Sequence, residues 1–424
     1  MTKSTYLPRL TDIDIERQLR AMGGVLIEGP KWCGKTRSSL EFARSVFYTT
    51  DNRDLARTLS DEVLMGATPR LVDEWQLEPV LWDKARRIID ERSVPGQFIF
   101  TGSSTGTTRA PAHSGAGRFA LIRMRTMSLF ESGESDGSVS LAQLFDGTSL
   151  EMHQITANLK TDILWALTRG GWPAALSLDR DAAGLVAGNY VKLIQHRENS
   201  HQEDHASRNG GARLDRAKQT LFVRALARNV AQPVKVSTLI EDVRERGGTL
   251  SRSTADNYLN YLKSVYFVEE QPAWSVSLRA KTVLRQAPKR HLTDPSLAVA
   301  ALGASPAQLL RDFRTLGHMF ESLCYRDLCI YAQHLGGEVA HYRDASGFEI
   351  DEIVTLSDGR WAALEVKLGD AQIDEAAQQL RTLTERIDTR HIGEPAFLAI
   401  LYAGQYAYTR PDGVHVIPIA CLSA

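Results

Sequence analysis

Cysteine is scarce: Cys33, Cys324, Cys329 and Cys421 are the four in a chain of 424 residues. None has zinc-site spacing, Cys324 and Cys329 read as packing on one helix, and a disulfide framework is excluded, so a reduced, cytoplasmic setting is expected. Net charge is also nearly absent. Lys plus Arg number 50 against 51 Asp plus Glu, a formal charge of −1, which excludes the strongly basic balance of a chain that coats nucleic acid; local basic patches stay open. No apolar run of about 18 residues occurs, so no membrane span and no membrane partner are expected. The stretch from Met1 to Arg9 has no apolar leader core.

What is present is an ordinary globular composition, 43% hydrophobic and 24% charged. The length is too great for one core, so roughly two to four domains are expected.

The most informative stretch is Gly29-Pro30-Lys31-Trp32-Cys33-Gly34-Lys35-Thr36, which satisfies G-x-x-x-x-G-K-[ST]. Gly24 to Glu28 reads as a buried strand before it, and Arg37 to Ser45 as a helix after it, with Leu40, Phe42 and Ala43 available for packing. That order suits phosphate binding. The glycines turn backbone N–H groups toward phosphate oxygens, and the helix start adds its positive dipole end. Lys35 would reach the β- and γ-phosphates of ATP, and Thr36 would ligate Mg2+.

A second signal follows in Pro69-Arg70-Leu71-Val72-Asp73-Glu74, a short strand ending in two carboxylates. Asp73 is the candidate magnesium residue and Glu74 the candidate base that polarises the attacking water. A third strand, Gly96 to Gly102, ends in small polar residues, with Ser103 the candidate γ-phosphate sensor and Thr101 the near alternative. Arg118, between Gly117 and Phe119, is a candidate arginine finger acting on its own or a neighbouring subunit. Arg123 and Arg125 compete for that role, but alternate with Ile122 and Met124 as the outer face of a strand.

Gly29 to Thr36, Val72 to Gln76, Phe100 to Ser104 and Ala116 to Arg118 together resemble a group of bacterial and archaeal AAA-type P-loop ATPases. In that family the ATPase domain is fused to C-terminal domain of unknown function 4143. This sequence departs from the family in carrying Trp32-Cys33 before Gly34, at positions where the backbone makes the phosphate contact. The resemblance also covers the Gly170-Gly171-Trp172-Pro173 element, which by itself reads as a helix break.

Leu141 to Ala157 and Leu164 to Leu178 read as helical, and His196 to Gly211 as a polar, mobile, exposed loop whose histidines (His196, His201, His205) read as solvated. Helices are expected at 217–229, 236–246 and 251–263, with Ser251 as a cap and Tyr258, Leu259 and Leu262 inward. A hairpin of 265–269 with 274–278 would complete a winged helix-turn-helix. Arg252, Asn257, Asn260 and Lys263 are its exposed candidates for DNA contact; protein contact is the other use of such a module.

The last third carries a nuclease-like pattern: Glu321 on a helix, Glu349-Ile350-Asp351 on one strand and Glu365-Val366-Lys367 on the next. Alternation puts Glu365 and Lys367 on one face. The pattern is that of the PD-(D/E)xK fold. Asp351 and Glu365 would bind a metal ion, Glu321 would complete the site, and Lys367 would stabilise developing charge. The family shows the same pattern in its C-terminal domain. Gln378 and Gln379 on the following helix read as a solvated face.

The expected fold is therefore α/β throughout its catalytic parts: a P-loop AAA-type core over 1–150, a helical connector over 151–215, a winged helix over 216–290 and a restriction-endonuclease-like domain over 291–424. The expected function is ATP hydrolysis coupled to a nuclease-like domain acting on or binding DNA or RNA. The alternative is a regulatory ATPase whose C-terminal domain is an inactive docking module for a protein partner. An arginine finger would imply a homo-oligomer.

Overall fold

The structure is a computed structural model that describes residues 6–104, 115–209, 216–275 and 287–424, without side chains at 159–160, 196–209 and 391. The chain forms two compact units. The first is Met1–Thr126 with Tyr261–Phe267, and the second is Met127–Asn260 with Val268–Ala424.

In the first unit, β1 (Gly24–Glu28), β2 (Ser45–Tyr48), β3 (Arg70–Asp73), β4 (Phe98–Gly102) and β5 (Phe119–Arg123) form one sheet in the order β2-β3-β4-β1-β5. Every pairing is parallel. A parallel sheet is buried on both faces, which is why its strands read as unbroken apolar runs. Alternation splits them: Val25, Ile27, Leu71 and Ile99 pack on one face, and Leu26, Val72, Phe98 and Phe100 on the other, with Trp75 and Trp82. Parallel strands also end at one edge. Glu28, Asp73, Gly102 and Arg123 therefore lie along the same rim, where open α/β sheets bind ligands. The helix after the glycine loop runs Lys35–Phe42, earlier than expected, because the chain enters β2 at Ser45.

The second unit has β6 (Val139–Ser140), β7 (His153–Gln154), β8 (Val268–Gln271), β9 (Lys289–Leu292), β10 (Gly337–Arg343), β11 (Glu349–Leu356), β12 (Trp361–Lys367), β13 (Leu398–Tyr402), β14 (Tyr406–Thr409), β15 (His415–Pro418) and β16 (Leu422–Ser423). Seven of them make the sheet β10-β11-β12-β13-β15-β14-β7. Residues 127–150, expected in the nucleotide domain, belong here, as do 151–154, expected in the helical connector: β7 pairs with β14, and β6 with β16. The expected helix over 141–157 stops at Phe145, since His153 and Gln154 are drawn into the sheet edge. The helix Phe313–His334 packs on β10, β11 and β12.

The middle helices run Arg216–Arg228, Val236–Glu245 and Arg252–Ser264. Ser251 Oγ accepts from the Thr254 amide at 3.2 Å, the expected cap. Tyr258, Leu259 and Leu262 are buried, and Arg252, Asn257, Asn260 and Lys263 are exposed. The expected hairpin partner at 274–278 lies partly outside the described residues; β8 instead pairs antiparallel with β9. The polar stretch expected as a loop from His196 is helical to Asn209, continuing the helix that begins at Arg180. Its Glu, Gln, Arg and Ala content suits a helix. Of its three histidines, the backbone alone is described.

The Gly170-Gly171-Trp172-Pro173 break is a packing centre. The Gly171 amide donates to Asp294 Oδ2 at 2.9 Å, its carbonyl accepts from Met127, and Trp172 Nε1 donates to Ser296. Arg326 Nη1 reaches the same Asp294 oxygen at 3.1 Å and pairs with Asp327, which accepts from the Leu129 amide.

Candidate functional site

The loop between β1 and the helix Lys35–Phe42 turns at Gly34, whose φ of 109° lies where side-chain-bearing residues are strained. Lys35 is buried, and its Nζ donates to the carbonyls of Gly29 at 2.9 Å and Pro30 at 2.8 Å. Its charge is thus held within the curl of the loop. Thr36 Oγ1 donates to Asp73 Oδ1 at 2.7 Å. A hydroxyl and a carboxylate, brought together from the loop helix and the end of β3, are hard oxygen donors of the kind Mg2+ takes. These residues fit ATP and Mg2+. Lys31 is half-buried, Trp32 is 53% exposed at φ 64°, and Cys33 is fully buried.

Glu74 follows Asp73 in the left-handed region, at φ 54°. A non-glycine residue stays there only when its neighbours hold it. They do: its amide donates to Thr101 Oγ1 at 3.2 Å, Ser103 Oγ donates to its Oε2 at 2.7 Å, and Gln76 Nε2 donates to the same oxygen. Thr101 also donates to Asp73 Oδ1 at 2.5 Å. One buried hydroxyl therefore fixes both carboxylate residues. Ser103 and Thr101 both enter the site, Ser103 on Glu74 and Thr101 on Asp73.

Arg118 is elsewhere. Its carbonyl accepts from Gly24, at the start of β1, so it lies at the sheet edge opposite the loop. Its guanidinium pairs with Asp90 on the surface at 2.8 Å. Arg123, at the rim, lies 3.8 Å from the Tyr266 ring centroid. Burial raises the Glu28 carboxyl, and burial with the Glu28 charge raises the Tyr266 phenol. Tyr266 belongs to the short segment that folds with the first unit, so the chain visits the loop's neighbourhood a second time.

The C-terminal acids converge, but through lysines. Lys367 Nζ lies 2.5 Å from Glu365 Oε2 and 3.5 Å from Asp351 Oδ2. Lys289, on β9, lies 2.5 Å from Glu321 Oε1 and 3.3 Å from Asp351 Oδ1. Burial alone would discharge Lys289, but Glu321 and Asp351 more than offset it and hold the ammonium above its usual range. Burial would raise Asp351, but Lys289 and Lys367 pull it well below the usual carboxylate range. Glu365 is pushed up by burial and by Asp351. Glu352, fully buried beside them, is pushed up by burial and accepts from Gln271 at 2.7 Å. Among the described residues no three His, Cys, Asp or Glu side chains are grouped to hold a metal ion. Glu321, Asp351 and Glu365 are neighbours of two ammonium groups rather than of a shared open position. Glu349 pairs with Arg343 at 2.6 Å, and Gln379 donates to its carbonyl.

Three family profiles match this chain. The AAA domain family covers residues 23–132, a domain of unknown function (DUF8612) covers 161–308, and a domain of unknown function (DUF4143) covers 316–422. One chain thus carries an AAA-domain match followed by a DUF4143 match. The AAA match spans the glycine loop, Asp73, Glu74 and Ser103, and the DUF4143 match spans Glu321, Asp351, Glu365 and Lys367. Among solved structures, the chain is similar to a Walker-type ATPase of Pyrococcus abyssi, at 13% identity and a TM-score of 0.42, over 70% of this chain and 96% of that one. It is also similar to AMPPCP-bound DnaA from Aquifex aeolicus, at 9% identity and a TM-score of 0.26, over 61% and 89%. No curated protein matches it.

Several residues at these sites carry no mark in the sequence. Arg9 is buried and donates to the Cys33 carbonyl at 2.8 Å and the Arg125 carbonyl at 3.0 Å, clamping the glycine loop. Tyr6 reaches Ser38 on the loop helix at 2.7 Å. Nothing local marks either. Gln76 was visible in the Val-Asp-Glu-x-Gln string, without a role. Lys289 stands in Lys289-Arg290-His291-Leu292, a strand with three basic residues, all four of which are buried.

Proposed function

We propose that this chain is an ATP-hydrolysing switch whose nucleotide state controls binding of nucleic acid by its C-terminal domain, without cutting it. The observation that carries the ATPase half is the ladder Thr36–Asp73–Thr101, with Glu74 fixed beside it. In this reading Lys35 and the loop amides hold the phosphates, and Thr36 and Asp73 hold Mg2+, which would neutralise phosphate charge when bound. Glu74, held by Ser103 and Gln76, takes the proton of the attacking water. Arg118, on the far edge of the sheet, serves only if it reaches a second copy.

For the C-terminal half, the support is the nuclease-like order of acids and lysine on a helix and two strands, together with its lysine-paired geometry. Fold alone does not give an activity. The test has two arms. Purified chain with ATP and Mg2+ should release phosphate, and Glu74→Gln should bind ATP without releasing it. Fluorescently labelled DNA and RNA should bind with different affinity to ATP-held Glu74→Gln and to the ADP form, and should remain intact. Cleavage that Asp351→Asn abolishes would overturn the binding reading and restore a nuclease. Binding of neither nucleic acid, in either nucleotide state, would leave the protein-docking alternative.

A further inference from the structure

Lys289 is the residue of the C-terminal site that neither the sequence pattern nor the family match assigns. Its ammonium has three N–H donors, and three acceptors face it: Glu321 Oε1 at 2.5 Å, Asp351 Oδ1 at 3.3 Å and the Asp351 carbonyl at 3.4 Å. Its side chain is 3% exposed. The other Asp351 oxygen accepts from the Val366 amide at 3.0 Å and faces Lys367 at 3.5 Å. Acid and ammonium thus alternate in a chain: Glu321, Lys289, Asp351, Lys367, Glu365.

The lysine is also built in at the backbone. β9 pairs with β8 so that Lys289 lies opposite Gln271, and the Gln271 side chain donates through Nε2 to the Asp351 carbonyl at 3.1 Å and to Glu352. A divalent ion would need two or more of the same carboxylate oxygens at about 2.0–2.6 Å. Between Glu321 and Asp351 the ammonium already stands within reach of both.

We propose that Lys289 is the resident cation of this acidic site, holding the place between Glu321 and Asp351 that a divalent metal ion would need, so that the wild-type site is closed to Mg2+ and Mn2+ and opens only when the ammonium is removed. The inference deepens the reading of the C-terminal domain as one that binds without cutting. Metal retention involves neither ATP nor nucleic acid, so its failure is distinguishable from failure of that reading.

The experiment is a Mn2+ titration of the full chain without nucleotide, read by the electron paramagnetic resonance of free Mn2+. It compares wild type, Asp351→Asn, Lys289→Met and the double variant. Any Mn2+ held near Asp73 is common to all four. Lys289→Met should bind Mn2+ about tenfold or more tightly than wild type, and the double variant should lose that gain. Asp351→Asn should change nothing in the wild-type background. Mn2+ binding by wild type that Asp351→Asn removes would overturn the proposal, as would a folded Lys289→Met with no gain. Where Lys289→Met is unfolded without metal, Mn2+ should restore a cooperative melt that the double variant lacks; failure to restore it counts against the proposal. Lys289→Arg keeps the positive charge and should show no gain; a gain there would overturn the role of charge.

Discussion

Replacing Thr101 by Val tests whether one buried hydroxyl sets the catalytic geometry. Valine fills the same volume, so no cavity opens, and the change removes two hydrogen bonds. The bond to Asp73 Oδ1, at 2.5 Å, is to a charged acceptor, worth about 1.5–3 kcal/mol. The Glu74 amide, 3.2 Å away, is left without its acceptor at a cost of about 1–3 kcal/mol, nearer the low end because the group is partly buried. That hydrogen bond also anchors Glu74 in its left-handed backbone, so its loss frees the carboxylate to turn away from the water it orients in the proposed mechanism. If about 1.4–2.7 kcal/mol of this appears in the barrier, kcat falls about ten- to a hundredfold. ATP binding should hardly change, because Lys35 and the loop make it and Thr36 keeps its bond to Asp73. The assay is steady-state phosphate release at saturating ATP, alongside the dissociation constant of a fluorescent ATP analogue. Undiminished kcat, or an equal loss in binding and turnover, would refute the reasoning.

Lys35→Ala should abolish measurable ATP binding by equilibrium titration, while Glu74→Gln keeps it and lowers kcat about a hundredfold or more in the same phosphate assay. Gly171→Ala should destabilise the second unit by about 2–3 kcal/mol in urea unfolding, because the new methyl would lie 2.1 Å from the Met127 carbonyl oxygen, and backbone must move. Stability should also fall with acid. Burial and the Lys289 charge push His291 well below its usual range, and the same two causes push His341 down to about 4. The unfolded chain then binds more protons below pH about 6.5, so unfolding is favoured as pH falls, by about 2 kcal/mol for His341 at pH about 5 and in the same direction for His291. The urea midpoint measured across that interval should flatten in His341→Phe; an unchanged slope would sink the assignment.

The glycine loop, Asp73 and Glu74 were legible because their chemistry is local. A strand, a tight turn and a helix start are all short-range features, and a parallel sheet brings its strand ends to one rim by construction. The three middle helices were legible from periodicity and from the Ser251 cap. Arg118 was misleading for a reason of direction: glycine flanks say nothing about which end of a parallel strand a residue occupies, and Arg118 enters β5 at the end away from the loop. The segment 127–154 was hidden because its strands are two residues long and find their partners more than 250 positions later, at Tyr406 and Leu422.

By itself, then, the sequence determined a glycine loop between a strand and a helix and a second strand ending in two carboxylates, and placed four groups of a nuclease-like pattern on a helix and two strands. Those features repeat at fixed short spacing, and backbone geometry converts spacing into a shared face. Only the tertiary structure decided what stands among the C-terminal acids. Lys289 lies 32 positions before Glu321 and 62 before Asp351, outside any motif of the sequence. It becomes the counter-charge of both because β9 is laid beside β8 and buried, where an ammonium persists only with carboxylates around it.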